Sequence, residues 1–294
     1  MKKGTALLAD VFRRLDLRAT FHIQEQADPN LKISLRYPSI VDALSDEGYE
    51  IGLHSHITST DSKVRYDEIS SGASSLCDAG HRVRVFRAGW YFTTTSTINV
   101  LERLQIDYDC SPVKNSRVAN MRWYDLPDSP YFPSTHDVTR RGSSSVLVIP
   151  VTNYRLCLNY WPNQAGERQT AEKAMIRGLK YLGDLSRVMD RPVIAYVTTH
   201  SWKPVTENGE SIRGWVVERF DKLAAVLSEY EYESFSVSEM GDRWKGLSIE
   251  PYWLDAPDVL GSILGWRSPR KHYRLVRSIG SRILALRYRL TGHL

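Results

Sequence analysis

Two histidines separated by a single residue are the most chemically suggestive feature of this chain. His54 and His56 follow an apolar stretch that ends at Leu53. In extended backbone, side chains two positions apart point to the same side. Two neutral imidazoles on one side can supply two ligands to a divalent metal ion. The alternative is a pair of histidines in a surface loop, and the spacing alone leaves both interpretations open.

Two later polar residues also come directly after apolar runs. Arg87 follows the run 83–86, and His200 follows the run 192–198. An arginine can hold a carboxylate through two hydrogen bonds, and a histidine can act as a general acid or base. The alternatives are a surface cation beside Asp109 for Arg87 and a capping or core histidine for His200.

A tryptophan stands close to each of these two residues. Trp90 follows Arg87, and Trp202 follows His200. An indole ring beside a cleft can stack on the face of a sugar ring, but indole rings also pack in ordinary cores. Substrate contact and packing have equal weight for both tryptophans.

The elements that must position these residues alternate between helix and strand. Helical spacing of apolar residues predicts helices at 5–15, 38–47, 64–79, 95–104, 170–184 and 215–230. Short apolar runs predict strands at 19–23, 49–53, 83–86, near 108, and at 146–151, 192–198 and 233–237. This alternation predicts a parallel sheet with repeated β/α units. The polar residues gather just after the strands, which is where β/α barrels keep their active sites.

Composition narrows the class of protein. The chain has 294 residues, of which 42% are hydrophobic and 25% charged, as in ordinary globular proteins. The net charge of +5 comes from the end of the chain, because eight Arg and Lys residues and no acidic residue follow Asp258. The main domain therefore gives no support to nucleic-acid binding.

Cysteine usage and hydropathy indicate the cellular compartment of the protein. Cys77, Cys110 and Cys157 show no paired spacing, which favours a reducing compartment over a disulfide-bonded scaffold. No stretch approaches the roughly 20 apolar residues of a membrane-spanning helix. We therefore expect a cytoplasmic protein.

The chain divides into a main domain, 1–250, and a basic appendage, 251–294. Within 266–290, leucines and isoleucines recur at helical spacing between arginines, which predicts a basic amphipathic helix. Such a helix can lie on the anionic inner-membrane surface or bind a protein partner. It can equally cover an exposed edge of the main domain.

Four short motifs, in order and each after a predicted strand, resemble the NodB-like polysaccharide deacetylases. These are carbohydrate esterases with a distorted β/α (TIM-like) barrel, and the similarity is greatest to the branch found among bacterial surface-polysaccharide genes. The motifs are Ala-Thr-Phe-His at 19–22, Glu-Ile-Gly-Leu-His-Ser-His at 50–56, Phe-Arg-Ala-Gly-Trp-Tyr at 86–91 and Thr-His-Ser at 199–201. The resemblance extends over about residues 5 to 245.

The resemblance implies a reaction and a role for each candidate residue. It implies hydrolysis of the N-acetyl group of an acetamido sugar, with a divalent metal, most often zinc, held by His54, His56 and an aspartate. Arg87 would orient the carboxylate base, and His200 would protonate the leaving amine. The tryptophans already named would line the substrate cleft.

One departure from the family pattern concerns the carboxylates. The family's first strand ends in two aspartates, the base and the third ligand, but here the first predicted helix begins almost at Met1. We therefore expect this chain to lack the first strand and both aspartates. Either the natural chain starts upstream, or this is a non-catalytic sugar-binding or scaffolding relative. Asp10 and Glu25 are candidate substitutes for the base, and His54, His56 and His200 form an alternative three-histidine metal site.

The expected absence of both aspartates leads to two expectations about behaviour in solution. The chain as given should bind zinc weakly and show little deacetylase activity, because one charged ligand and the base are absent. A form extended at its N-terminus by a strand with an aspartate pair should be active.

Overall fold

The computed structural model describes residues 2–112, 126–152, 165–200, 206, 211, 213–247, 249 and 251. The helices are α1 (Lys2–Arg14), α2 (Ile33–Arg36), α3 (Pro38–Asp46), α4 (Ser62–Asp78), α5 (Thr95–Arg103), α6 (Ala165–Met189), α7 (Gly214–Glu229) and α8 (Val237–Leu247). The strands are β1 (Thr20–Gln24), β2 (Glu50–Ser55), β3 (Val85–Ala88), β4 (Tyr108–Asp109) and β5 (Leu147–Val148).

The strands form one parallel sheet in the order β1-β2-β3-β4-β5. The predicted α/β class and parallel sheet are therefore confirmed. In the part of the chain that the structure describes, β1 and β5 are the two edges of this sheet. Because every pairing is parallel, all the carboxyl ends of the strands meet at one edge of the sheet.

The two faces of the sheet are covered differently. One face carries Ile23, Leu53 and Phe86, which are buried in one cluster with apolar residues of α3, α4 and α5. The opposite face carries Val85 and Tyr108, which pack in a second cluster with residues of α8 and of segment 193–196. A third apolar cluster joins α1 to α6 and α7. The helices thus hold the sheet rigidly and leave its carboxyl edge to the loops.

The loops after β2 and β3 end in capped helices, which fixes their length and direction. Asp61 accepts a hydrogen bond from the backbone N–H of Val64 at 2.9 Å and starts α4. Thr94 and Thr97 form a reciprocal capping box at the start of α5. Each cap satisfies backbone donors that would otherwise lack partners at the helix N-terminus.

The predicted strand at 192–198 is wrong, because the structure has no regular strand there. Thr152 explains the difference. Its backbone N–H donates to the carbonyl of Tyr196 at 3.3 Å, but its hydroxyl accepts the N–H of Tyr196 and donates to the carbonyl of Ile194. A side chain thus occupies positions that a backbone ladder would need. The segment 193–200 still follows the edge of the sheet beside β5.

The predicted strand at 233–237 is also wrong, since the chain begins α8 at Val237. The backbone N–H of Ser236 donates to the Glu239 carboxylate at 2.9 Å, and the Glu239 N–H donates to the Ser236 hydroxyl at 3.4 Å. This Ser-x-x-Glu capping box is a signal for the start of a helix that can be recognised in the sequence.

The appendage 252–294, with its predicted helix at 266–290, lies outside the described residues and stays a prediction. Within the described ranges, no helix is long and apolar enough to cross a membrane.

Candidate active site

Strand register brings four chemically active side chains to one face of the sheet. His22 pairs with Gly52 across β1 and β2, and His54 pairs with Arg87 across β2 and β3. Phe86 pairs with Asp109, so the next residues, Arg87 and Cys110, are also side by side. Because neighbours in register share a face, the side chains of His22, His54, Arg87 and Cys110 lie on the same side of the sheet.

The two histidines approach each other closely at the carboxyl end of β2. Their Nε2 atoms are 3.0 Å apart, and their ring centroids are 4.6 Å apart with an interplanar angle of 78°. His54 is half-buried at the end of the strand, whereas His56 is exposed in the loop that follows. The predicted same-side arrangement is therefore what the structure has.

The main chain fixes which nitrogen of His54 carries the proton. Nδ1 lies 2.9 Å from the backbone carbonyl oxygen of Arg87. A carbonyl only accepts hydrogen bonds, so Nδ1 carries the proton and Nε2 of the neutral ring has a lone pair. Burial and the nearby His56 lower the pKa of His54 to about 3. This neutral, oriented imidazole has the protonation state that metal ligation requires.

Gly89 makes the position of His56 possible. A Cβ atom at Gly89 would lie 2.4 Å from Nδ1 of His56, so any side chain there would displace the ring. The next residue, Trp90, is 59% exposed and its backbone has the rare positive φ of 55°. Its ring lies 6.0 Å from that of His56, centroid to centroid, in an edge-to-face arrangement. The turn therefore presents an indole directly beside the histidine pair.

Two buried charged groups, Arg65 and Asp109, stabilise the turn that carries Trp90. The Arg65 guanidinium donates to the Thr97 hydroxyl at 2.9 Å and lies 4.8 Å from the Phe92 ring centroid. The Asp109 carboxylate accepts a hydrogen bond from the Thr93 hydroxyl at 2.9 Å. Both side chains are completely buried, and burial raises the pKa of Asp109 to about 6. They stabilise a backbone conformation that would be strained in isolation.

Arg87 is buried, with only 8% of its surface exposed, so the surface-cation alternative is wrong. Its Nη1 donates to the backbone carbonyl of Cys110 at 3.1 Å and to the Tyr196 hydroxyl at 3.4 Å. Its guanidinium also lies 4.8 Å from the ring centroid of Tyr91. The arginine is thus fixed in orientation on the strand next to His54, with which it pairs in register.

His200 lies on the same side of the molecule as the pair. It is exposed, and it is close enough to His54 that a proton on one ring disfavours a proton on the other, which contributes to the lowered pKa of His54. The last of the predicted site residues, Trp202, lies outside the described residues.

Sequence reasoning gave little weight to His22 and did not single out Tyr196. Nε2 of His22 lies 3.3 Å from the Tyr196 hydroxyl and 3.5 Å from the sulfur of Cys110. Burial and the neighbouring Arg87 lower the pKa of His22 well below its usual value. Tyr196 comes four residues before His200, and in extended backbone such residues share a side.

The two proposed substitutes for the carboxylate base are wrong. Glu25 is completely buried on the helix-covered face, where its carboxylate accepts the backbone N–H of Ser34 at 2.6 Å. Asp10 is exposed on α1, where it pairs with Arg13. Neither carboxylate lies on the face that carries His54.

The histidine pair fits two positions of a divalent-metal site. Two nitrogens at the zinc–nitrogen distance of about 2.0–2.1 Å are about 2.9 Å apart at a right angle and about 3.4 Å apart at the tetrahedral angle. The observed separation of 3.0 Å lies within this range. Within the described ranges, however, no group of three His, Cys, Asp or Glu side chains is placed to hold a metal ion. The three-histidine alternative therefore receives no support.

Comparison with solved structures shows the fold. A Mycobacterium smegmatis protein, provisionally assigned as a polysaccharide deacetylase, matches with a TM-score of 0.56 at 18% identity, over 86% of this chain and 81% of that one. The 4-alpha-glucanotransferase from Thermococcus litoralis matches with a TM-score of 0.50 at 15% identity, over 84% and 35%. The family 4 carbohydrate esterase from Streptomyces lividans, in complex with acetate, gives 0.44 at 16% identity, over 77% and 82%.

No protein-family model and no curated protein matches the chain. At the identities above, structural similarity establishes a shared fold. The resemblance to polysaccharide deacetylases is thus confirmed at the level of the fold.

Proposed function

We propose that this chain hydrolyses the N-acetyl group of an acetamido sugar in a surface-glycan pathway, with a divalent metal, zinc by preference, held in part by His54 and His56. The 3.0 Å approach of the two imidazole nitrogens at the carboxyl edge of a parallel sheet carries the proposal. The fold shared with a provisionally assigned polysaccharide deacetylase supports it. The incomplete β/α barrel belongs to the same proposal.

Two residues of the chain have direct roles in this reaction. When bound, the metal supplies a Lewis acid that polarises the amide carbonyl and lowers the pKa of water. His200, exposed and near His54, would protonate the amine as it leaves. Arg87, fixed by the Cys110 carbonyl, would orient the carboxylate base through its guanidinium. We assign the role of that base to no carboxylate among the described residues.

Trp90 supports a sugar as the substrate. Its ring is exposed, is held on a strained turn, and stands beside His56. An indole face can stack on the C–H face of a pyranose ring at little entropic cost when the indole is already fixed. Trp202 is the second aromatic residue that we propose for this cleft.

A non-catalytic glycan-binding or scaffolding protein is the second candidate. It is favoured by the lack, within the described ranges, of a three-ligand group beside His54. The match to a 4-alpha-glucanotransferase is a reminder that one fold supports different chemistry. Under this candidate, the aromatic cleft would bind sugar without hydrolysis.

Metal content and acetate release, measured on the same protein, test the proposal. The purified chain would be supplied with zinc, and its zinc content would be measured by plasma emission. It would then be mixed with N-acetylglucosamine oligosaccharides, with the protein in excess over the sugar because we expect slow turnover. His54→Ala should lose the zinc and the acetate release. His200→Ala should keep the zinc and react about 10²- to 10⁴-fold more slowly. His81→Ala is the matched control, since His81 contacts Asp42 outside the site.

Each result separates the candidates. Acetate release that persists unchanged in His54→Ala would contradict the proposal. Oligosaccharide binding without zinc or acetate release, weakened in Trp90→Ala by calorimetry, would establish the binding protein instead. The contact of 266–290 with a membrane or partner is an independent proposal, and vesicle flotation of the chain with and without these residues tests it.

A further inference from the structure

A partly buried phenol connects its own segment to two strands of the sheet at the candidate site. Tyr196 belongs to segment 193–200, which follows the edge of β5 and ends at His200. Its hydroxyl lies 3.3 Å from Nε2 of His22 on β1 and 3.4 Å from Nη1 of Arg87 on β3. None of the roles assigned to the site so far uses this phenol or His22.

The chemistry of the three groups gives the hydrogen bonds a direction. A guanidinium only donates, so Arg87 donates to the phenol oxygen. The phenol proton then has two acceptors within reach, Nε2 of His22 and the sulfur of Cys110. The thiol proton of Cys110 points to the backbone carbonyl of Phe86 at 3.2 Å. Arg87, Tyr196, His22 and Cys110 therefore form one connected network with the phenol at its centre.

The other ring nitrogen of His22 has a different environment. Nδ1 is buried and has no hydrogen-bond partner among the described residues. It faces Gly52, where a Cβ atom would lie 2.8 Å away. In either tautomer the protein thus retains a buried polar nitrogen without a partner, a costly arrangement that ordinary apolar packing would avoid.

The same phenol anchors the segment that carries His200. The main chain of this segment is tied to Thr152 by the hydrogen bonds at Tyr196 and Ile194. Those bonds tie the segment to Thr152, four residues beyond the end of β5. The Tyr196 side chain adds the link in the opposite direction, to β1 and β3, which are the strands next to the one that bears His54.

We propose that Tyr196 is a positioning residue that sets the place of His200 relative to His54 by linking its segment to Arg87 and His22. The inference rests on the proposed function for its catalytic meaning, but the link itself is testable without any activity. Tyr196 would act through Arg87 and His200 and would not contact the substrate.

Side-chain NMR of the histidines, combined with a rate measurement, tests this inference. Tyr196→Phe removes the hydroxyl with almost no change in volume. Tyr131→Phe is the matched control, because Tyr131 also has a hydroxyl bound within the protein, which donates to the Val138 carbonyl at 2.7 Å away from the site. In metal-free protein, the ¹⁵N signals of His22 and His200 should move in Tyr196→Phe and stay in place in Tyr131→Phe. In zinc-loaded protein, Tyr196→Phe should lower kcat by about 10- to 100-fold with KM and zinc content unchanged.

The outcomes distinguish a failed link from a failed function. Unmoved His200 signals in Tyr196→Phe, or equal movement in Tyr131→Phe, would overturn the positioning role whatever the activity. If the wild type releases no acetate but the signals move as expected, the link stands and the deacetylase proposal falls. Should Tyr196→Phe not fold, the wild-type spectrum decides instead, since a His22 Nε2 signal without the shift of a hydrogen-bonded nitrogen would contradict the link to the phenol.

Discussion

Polar side chains at the two ends of the same strands have different kinds of partner, charged at the amino end and neutral at the carboxyl end. Next to the amino end of β3, Arg84 donates to Asp107 at 2.7 Å and to both oxygens of Asp242 at 3.0 Å. At the carboxyl end, Arg87 binds a carbonyl and a phenol, and His54 keeps a lone pair on Nε2. Ion pairing raises the pKa of Arg84 and lowers that of Asp242, whereas burial lowers that of His54.

This difference teaches where stability and chemistry reside. Fully paired charges at one end resist change, because each partner stabilises the charged form of the other. Polar groups that retain donor or acceptor capacity are costly to stability and are typical of functional sites. The candidate site is thus recognisable from polar groups bound to neutral partners, as well as from residue types.

The largest expected effect is the loss of zinc affinity in His54→Ala. We expect affinity to fall by more than about 100-fold, since changes to groups that only support a ligand already cost about 10- to 100-fold. Calorimetric titration with zinc measures it. Asp242→Asn at the opposite end should leave the affinity unchanged, and equal affinities in His54→Ala and the wild type would remove His54 from the site.

A smaller loss is expected from Gly89→Ala. The new methyl would overlap Nδ1 of His56, so the ring must move away from His54. Zinc affinity should fall by about 10- to 100-fold, which is the usual cost of displacing a ligand's support. Gly214→Ala is the control, because a Cβ there meets no atom within 4 Å. An unchanged affinity in Gly89→Ala would show that His56 is dispensable.

Acid should destabilise the folded protein through its buried imidazoles. The folded pKa of His54, about 3, lies below the unfolded value, so its stabilising effect is full above about pH 6.5 and is lost as the pH falls. His22 shifts in the same direction. Asp109 opposes them, since its raised pKa of about 6 adds stability as the pH falls through that value.

The loss of stability from the two histidines should exceed the gain from Asp109, because two imidazoles shift in one direction and one carboxylate opposes them. We expect the free energy of unfolding to drop by about 2 kcal/mol between about pH 7 and pH 5, from up to about 1.4 kcal/mol per pH unit for each neutral histidine. Urea unfolding in the presence of a chelator measures it. Stability that rises over this range would show that Asp109 dominates.

The smallest effect is expected at the ion-paired end. Asp242→Asn removes the charge that Arg84 binds with two nitrogens, but both side chains are partly exposed, so screening limits the loss. We expect a decrease of about 1 kcal/mol, or about 2–4 °C in Tm. Zinc affinity should not change. A change in zinc affinity as large as that of Gly89→Ala would mean that the two ends are coupled.

The sequence predicted the parts of this molecule that depend on local pattern. Alternation with period two placed His54 and His56 on one side, and apolar periodicity located most helices and strands. The capping box that starts at Ser236 was equally visible, but the apolar run beside it was interpreted as a strand. Competing local signals explain that error.

The rest depends on register and on contacts distant in sequence. Cys110 meets Arg87 only because β3 and β4 pair as they do. Tyr196 meets His22 across 174 positions, through a segment that lacks regular strand structure. The positive φ of Trp90 likewise has no sequence signal, since tryptophan is not a residue that favours that conformation.

The hydrogen bond from His54 to the Arg87 carbonyl has a consequence for how mutational data on this protein are interpreted. Residue 87 contributes through two unrelated parts, a peptide oxygen that selects the tautomer of His54 and a guanidinium that binds Tyr196. Alanine scanning deletes only the second part. A mild phenotype for Arg87→Ala would therefore understate the importance of the position. A backbone amide-to-ester replacement between residues 87 and 88 weakens the carbonyl as an acceptor and also removes the Ala88 N–H that donates to the Ser111 hydroxyl at 2.7 Å. Comparison of this replacement with Ser111→Ala, which removes the second bond alone, would reveal the contribution of the carbonyl.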